Sequence, residues 1–429
     1  MFRFIYNLLW PLGLIFFLPG YLVKMFRRGG YREKFGQRLG FYEPQLRAKL
    51  YWQRPIWLHA VSVGEVTIAL KLAAQIRALK SGQHCVLTTT TTTGFAFANK
   101  NAPDWIEVMY SPLDFWPVMR RAFIAINPRA VALVEAEVWP NLVAEAHARK
   151  IPIALVNARL SPRSEKRFRM FRGIVAPIFR KLDAVCVQNV EDVERWKALG
   201  LQSDKIHPVG SIKYDPENVE IDSELPRKIL AGFGLEKRTV IFGGSTHRGE
   251  EKVLAEVFGA LKRDFVDLLL VLAPRHTERT GEVVRDLKEI SFQIALRSQS
   301  PAPDPFIDCL LIDSTGELRH WYGVATIAFI GKSLLAQGGQ NPAEAILAGK
   351  PVLFGPHMEN FAALASSLVT QGGAVQVNSA TDLCRAMTQL LADPEEREKM
   401  VANARTVLDT HRGATARTAQ LVVDLLPRR

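Results

Sequence analysis

From residue 55 onward the chain repeats one pattern: a short, almost continuously apolar run, then a longer amphipathic stretch. PIWLHAV (55–61) precedes VTIALKLAAQIRALK (66–80), and HCVLTTT (84–90), AVALVEA (130–136), IPIALVN (151–157) and DAVCVQN (183–189) follow. VEDVERWKALG (190–200) then has the period of a helix ending at Gly200. A strand that is apolar on both sides must be covered on both sides, so strands of this kind alternating with helices predict a parallel sheet between helical layers. The polar stretch 222–238 interrupts the pattern, which restarts with TVIFGGS (239–245), DLLLVLAPR (267–275), DCLLIDS (308–314), TIAFIG (326–331) and KPVLFG (350–355). A chain of 429 residues exceeds one ordinary core. The expected fold is therefore α/β, with two doubly wound, Rossmann-like domains over 31–218 and 219–429 and a cleft between them. The last helix is free to pack back on the first domain.

Residues 1–30 read differently. FIYNLLWPLGLIFFLPGYLV (4–23) has no charge and is long enough to cross a bilayer, although Pro11 and Pro19 suit a half-inserted helix equally well. Lys24, Arg27, Arg28, Arg32 and Lys34 follow it and only Arg3 precedes it, which puts the body of the protein on the cytoplasmic side. A buried first helix is the plainer alternative. The formal net charge is +12, and ten Lys/Arg stand against two Glu within residues 1–60. A second basic run, ARLSPRSEKRFRMFRG (158–173), carries Arg163, Lys166, Arg167, Arg169 and Arg172. The usual nucleic-acid-binding motifs are absent, so no nucleic-acid partner is expected, and anionic head groups are. Cys85, Cys186, Cys309 and Cys384 are isolated, which argues against structural zinc and fits a reducing compartment.

Ligands of doubly wound sheets bind at the carboxyl ends of the strands. HAVSVGEV (59–66) ends one such strand and delivers Glu65, either a helix-start acid or a reacting group. GGSTHRGEE (243–251) follows a strand with small residues, hydroxyls and acids. Its amides suit a phosphate, and Ser245 or Thr246 serves equally well as a helix N-cap. Arg275 in APRH can fork onto a phosphate or pair with a carboxylate. STGEL (314–318) reads as a turn with free amides. GGQNPAEAILAGKPVLFGPHMENF (338–361) offers close backbone approach, a helix start at Asn341 and Pro342, and Glu344 in the first turn, where it either accepts ribose hydroxyls or caps the helix. Together these signals suggest a nucleotide site in the second half.

HAVSVGEV, EAEVWPN, NARLS, GSIKYD, GSTHRGEE, APRH, DSTGEL and GGQNPAEAILAGKPVLFGPH, with YREKFGQRLGFY (31–42) near the start, resemble in residues and order the 3-deoxy-D-manno-octulosonic acid (Kdo) transferases of lipid A biosynthesis. The resemblance implies the GT-B glycosyltransferase fold and inverting transfer of Kdo from CMP-Kdo to a lipid A precursor (lipid IVA). The work would be done at the cytoplasmic face of the bacterial inner membrane. It implies Glu65 as general base, Glu135 and Lys213 as transition-state stabilisers, and CMP contacts on Pro274, Arg275, Thr315, Gly316, Glu317, Asn341, Pro342, Ala343 and Glu344. Ser245 and Thr246 join that donor set as phosphate-side candidates. No cofactor is expected, and no DxD-like pair points to a metal. Four positions depart from the family pattern: Ala136 for threonine, Thr315 for methionine, Lys332 for the second glycine of Gly-Gly-Ser, and Gln340 for histidine. The competing readings are another GT-B enzyme using a UDP- or ADP-sugar, a nucleotide-sugar epimerase, and a non-catalytic membrane-bound nucleotide- or lipid-binding protein.

Overall fold

The computed structural model describes residues 3–10, 13, 34–215, 221–304 and 306–427. The chain divides into two compact units, Met1–Asp215 with His411–Arg429, and Pro216–Thr410. The sequence boundary at 218/219 lies outside the described residues.

The first unit is built on seven parallel strands: β1 (Ile56–Ala60), β2 (Cys85–Thr89), β3 (Ile106–Tyr110), β4 (Ala130–Val134), β5 (Ile153–Ala158), β6 (Ala184–Val187) and β7 (Ile206–Pro208). Their order is β3-β2-β1-β4-β5-β6-β7, with Ile56 in register with Cys85 on one side and Ala130 on the other. Alternate residues of β1 enter opposite layers. Ile56, Leu58 and Ala60 pack with Val66, Leu72 and Ile76 of the helix Val63–Leu79, while Trp57 packs with Phe123, Leu142 and Phe179. That helix forms because Val66, Ala69, Ala73 and Ile76 recur on one face, and it starts where the Ser62 hydroxyl accepts the Glu65 amide. The helix Ala414–Asp424 closes the same layer, burying Ala419 and Val422 within the β1 cluster, and Leu426 just beyond it joins them.

The second unit repeats the plan with β8 (Thr239–Thr246), β9 (Leu268–Pro274), β10 (Ile294–Leu296), β11 (Cys309–Leu311), β12 (Ile327–Ile330), β13 (Val352–Phe354) and β14 (Val375–Gln376). The order is β10-β11-β9-β8-β12-β13-β14, again all parallel. The order in which successive strands are laid down therefore reverses between β1 and β4 in one sheet and between β8 and β12 in the other. A crevice opens at such switch points, at the carboxyl ends of the strands.

Most of the apolar stretch 4–23 lies outside the described residues. Residues 3–10 are helical. Arg3 donates to Asn141 and Glu145, Asn7 bonds Asn141 and accepts the Trp116 amide, and Tyr6 donates to the buried carboxylate of Asp114. Phe4, Ile5, Leu8 and Leu9 stay 73, 44, 62 and 54 % exposed. Among the described residues no helix is long and apolar enough to cross a membrane.

Candidate active site

In the first unit the switch point lies between the ends of β1 and β4, and each end carries a carboxylate. Glu65 sits in the first turn of the helix Val63–Leu79. Its Oε2 accepts the Val61 amide at 2.9 Å and its Oε1 accepts the Ser62 hydroxyl at 2.8 Å. The chain thus closes a variant of the capping box around the turn, with the Val61 amide taking the place of the N-cap amide. Gly64, the glycine before this acid, does not open the turn or direct the carboxylate to solvent. Gly64 is an ordinary helical residue whose added Cβ meets nothing nearer than Ser62 Oγ at 3.9 Å, and Glu65 folds back on residues 61 and 62. Each carboxylate oxygen still keeps one lone-pair direction for an incoming hydroxyl.

Glu135 follows β4 with φ 61, a left-handed backbone rarely adopted by a non-glycine residue. Burial raises its pKa, the Glu65 charge adds to the rise, and Arg159 and Lys213 oppose it. Glu137, two residues on, is also raised by burial and by both neighbouring carboxylates, although the Trp139 indole N–H donates to it at 2.8 Å. Lys213 is pushed down by burial and by Arg159 against the pull of Glu135. Three carboxylates and two cations therefore share one field, and Glu65, Glu135 and Lys213 of the sequence motifs do come together. Glu137 and Arg159 were not singled out as site residues, though EAEVWPN and NARLS contain them.

The loop carrying Lys213 is fixed from several directions. Asn157, fully buried at φ 51, accepts the Ser211 hydroxyl and the Ile212 amide. Asp215 accepts the amides of Gly413 and Thr415, both at 2.7 Å, where the last helix begins. Arg417 of that helix donates to the Val209 carbonyl. His59, by contrast, is structural. It is fully buried against Thr88 and Trp139, and burial lowers its pKa to about 4.

In the second unit the switch point lies between β8 and β12. The backbones meet so closely that a Cβ on Gly331 would stand 2.3 Å from the Ser245 carbonyl oxygen. GGSTHRGEE does not form an open phosphate cradle. β8 runs on to Thr246, and the helix Glu250–Leu261 starts after Gly249 with no side-chain cap, so neither Ser245 nor Thr246 is an N-cap. The buried carboxylate of Glu250 instead accepts the amides of His247, Lys332, Ser333 and Leu334. Thr246 is fully buried with its hydroxyl on Glu251, and Ser245 is 5 % exposed. The chain's own acid fills this cradle and fixes the loop after β12.

What that loop presents is Lys332, at φ 57 and with no ion pair among the described residues. Its charge, with that of His276, adds to burial in lowering the pKa of His247, against the Ser245 carbonyl and Glu250. Pro274 closes β9 and Arg275 follows it with an exposed side chain and its amide on the Thr246 carbonyl. Thr315 and Gly316 are exposed in the turn before the short helix Leu318–Tyr322, with Gly316 at φ 89. Glu317 is already engaged. Burial works against ionisation, yet two bonds from Arg297 and one from Trp321 hold its carboxyl below the usual range. Asn341 accepts the Ala343 amide and so starts the helix Ala343–Leu347 after Pro342, and Glu344 sits in its first turn, where its charge adds to burial in raising the Tyr322 pKa. Among the described residues no three His, Cys, Asp or Glu side chains form a metal-binding group.

Known proteins share this chain's features. The family described as 3-deoxy-D-manno-octulosonic-acid transferase (kdotransferase) matches residues 33–216. A 3-deoxy-D-manno-octulosonic acid transferase of Haemophilus influenzae is 34% identical over 401 residues, 93% of this chain and 92% of the relative. One of Bordetella pertussis is 35% identical over 93% of this chain and 94% of its own. At the level of fold alone, the chain resembles a UDP-GlcNAc 2-epimerase from Neisseria meningitidis (TM-score 0.56, 14% identity, 87% of this chain and 99% of that one). It also resembles the glycotransferase of kitacinnamycin (TM-score 0.53, 17% identity, 87% and 100%). The likeness to the epimerase is one of architecture, whereas the identity to the transferases runs through both units. This chain is a glycosyltransferase and belongs to the 3-deoxy-D-manno-octulosonic acid transferase family.

Proposed function

We propose that the protein moves Kdo from CMP-Kdo to a hydroxyl of a lipid A precursor, lipid IVA, with inversion and without a metal. The observation that carries the mechanism is the group of Glu65, Glu135, Glu137, Arg159 and Lys213 at the switch point of the first sheet. In the reaction the acceptor oxygen attacks the anomeric carbon of Kdo, the bond from that carbon to the phosphate oxygen breaks, and CMP leaves with the electron pair. Glu65 takes the acceptor's proton, a contribution on the order of 10²–10⁴-fold for a positioned base. Its capping bonds hold it at the strand end without using every lone pair. Lys213 offsets charge on the donor's phosphate or carboxylate, and Glu135 sets the field in which Lys213 stays charged. Pro274, Arg275, Thr315, Gly316, Asn341, Pro342, Ala343 and Glu344 receive CMP. Glu317 orients its loop through Arg297, and Lys332 supplies a further cation toward the donor.

The acceptor arrives from the membrane. The helix at residues 3–10 turns its polar side to the first unit and leaves Phe4, Ile5, Leu8 and Leu9 outward, an arrangement suited to the interfacial layer at the cytoplasmic face of the inner membrane. The test is incubation of detergent-solubilised protein with CMP-Kdo and tetraacylated lipid A precursor, with the product read by mass, in the presence and absence of EDTA. Transfer only from a UDP- or ADP-sugar, CMP binding without turnover, or activity lost to EDTA and restored by Mg²⁺ each overturns part of this reading.

A further inference from the structure

The second unit has concave surface at the other edge of its sheet as well. A cavity of 710 Å³ lies below the amino ends of β8 and β12, between the helix Glu224–Gly232 and Lys350. A second of 490 Å³ lies beside it, below β12 and β13 and against the helix Pro394–Asp409. Both are lined by Ala325, Thr326 and Lys350, so Lys350 stands on the ridge between them.

Cations dominate this surface. Lys228 is paired with Glu224, Arg238 donates to the Leu268 carbonyl, and Arg397 donates to the carbonyls of Leu390 and Leu391. Arg227, Lys350 and Arg405 have no ion pair or side-chain hydrogen bond among the described residues. Burial lowers the Lys350 pKa and the charge of Arg227 lowers it further, with no acid opposing. The Arg405 guanidinium reaches the backbone next door, 2.9 Å from where a Cβ of Gly349 would stand. The two carboxylates on the rim, Glu236 and Glu398, are exposed and form no ion pair with any of the three. A half-buried ammonium beside a like charge is unfavourable in isolation, and a bound anion removes the penalty.

We infer that these two adjoining amino-end cavities form a second anion site, in which Lys350 on the shared ridge, Arg227 from one cavity and Arg405 from the other bind a phosphate-bearing ligand away from the donor site at the carboxyl ends of the strands. Two guanidinium forks flanking a point charge suit a diphosphate group better than a single carboxylate. The same chemistry is presented by a soluble pyrophosphate or nucleotide and by a phospholipid headgroup.

The test uses the full chain in detergent, saturated with CMP, and titrated calorimetrically with pyrophosphate. Saturable binding in the presence of CMP is expected. It weakens at least about tenfold in Lys350→Gln and in Arg405→Gln, as loss of a charge-assisted contact does, and recovers in Lys350→Arg. Unchanged melting temperature and CMP affinity confirm that the variants are folded. Displacement of pyrophosphate by phosphatidylglycerol vesicles but not phosphatidylcholine vesicles identifies a headgroup, and retention against both identifies a soluble ligand. Pyrophosphate binding that CMP abolishes, or that all variants keep unchanged, overturns the proposal.

Discussion

In the proposed reaction Glu65 serves two demands with one carboxylate. As a capping-box acid it ties Val61 and Ser62 to the helix start, and that tie is what holds a charged oxygen at the β1–β4 switch point. Replacing it by glutamine separates the two roles. The amide keeps one acceptor for the Val61 amide and offers an N–H₂ to Ser62, whose hydroxyl can turn to receive it. Glu65→Gln is expected to melt within a few degrees of wild type and bind CMP normally, while turnover on CMP-Kdo falls roughly 10²–10⁴-fold. Turnover near the wild-type rate would remove Glu65 from the role of base. Lys332 carries the opposite conflict. Its left-handed backbone costs a non-glycine residue on the order of 1 kcal/mol, so Lys332→Gly should leave the second unit as stable or up to about that much more stable. Without the ammonium, KM for CMP-Kdo should rise. Lys332→Met keeps the backbone strain and loses only the charge, so it should raise KM with no gain in melting temperature. If KM is flat in both variants, Lys332 does not touch the donor.

At the scale of elements, the helix at residues 3–10 depends on a carboxylate far from it in sequence. Asp114 accepts the amides of Asn141 and Leu142 and the hydroxyl of Tyr6, yet burial outweighs these bonds and the Arg3 charge and raises its pKa to about 7. The folded state therefore holds a proton that the unfolded chain, with a carboxyl near 3.8, releases. Stability from this group is fully present below about pH 4 and is lost as pH rises through 7. Between pH 5 and 8 the denaturation midpoint of the wild type should fall more steeply than that of Asp114→Asn, which cannot titrate. Parallel pH profiles would show that Asp114 does not govern the slope. The elements themselves were unevenly legible. All ten apolar runs anticipated from the sequence form strands, because strands covered on both faces read as unbroken apolar stretches. The four strands not anticipated, β3, β7, β10 and β14, are the four edges of the two sheets. They are short or mixed, as in IEVMY with its half-buried Glu107, IHP, IAL and VQ. The site divides in the same way. Glu65 and Glu135 stand at strand ends that the pattern locates, whereas Lys213 follows β7, which the pattern does not show. The Glu250 clamp on residues 332–334, more than eighty residues away, leaves no periodic trace and turned an expected phosphate cradle into a closed one.

At the scale of the whole molecule, the chain leaves the first unit after Asp215 and returns to it at His411. The return is a structural requirement, since Val422 is 1 % exposed within the cluster that backs β1 and β4, and Asp215 and Arg417 fasten the crossing to the Lys213 loop. The second unit has its own core, in which Ile241, Leu270, Phe329 and Leu353 from four strands meet Leu254, Phe258 and Met387 from two helices. Two cores and one shared chain predict separable responses. Val422→Asp buries a charge with no partner, a change that belongs to the strongly destabilising class, and it should lower the unfolding of the first unit. CMP, which the proposed function assigns to the second unit, should raise the unfolding of that unit by about 2.7 kcal/mol at a hundred times its Kd. Differential scanning calorimetry of wild type and Val422→Asp, each with and without CMP, should then show two transitions of which the mutation moves one and the ligand the other. If both perturbations shift a single transition together, the two cores unfold as one cooperative body. Kdo transfer by the variant adds a second reading, because the Lys213 loop rests on the helix that the mutation loosens. Turnover should fall while the affinity for CMP is kept, and a parallel loss of CMP binding would mean that the lesion is not confined to the first unit.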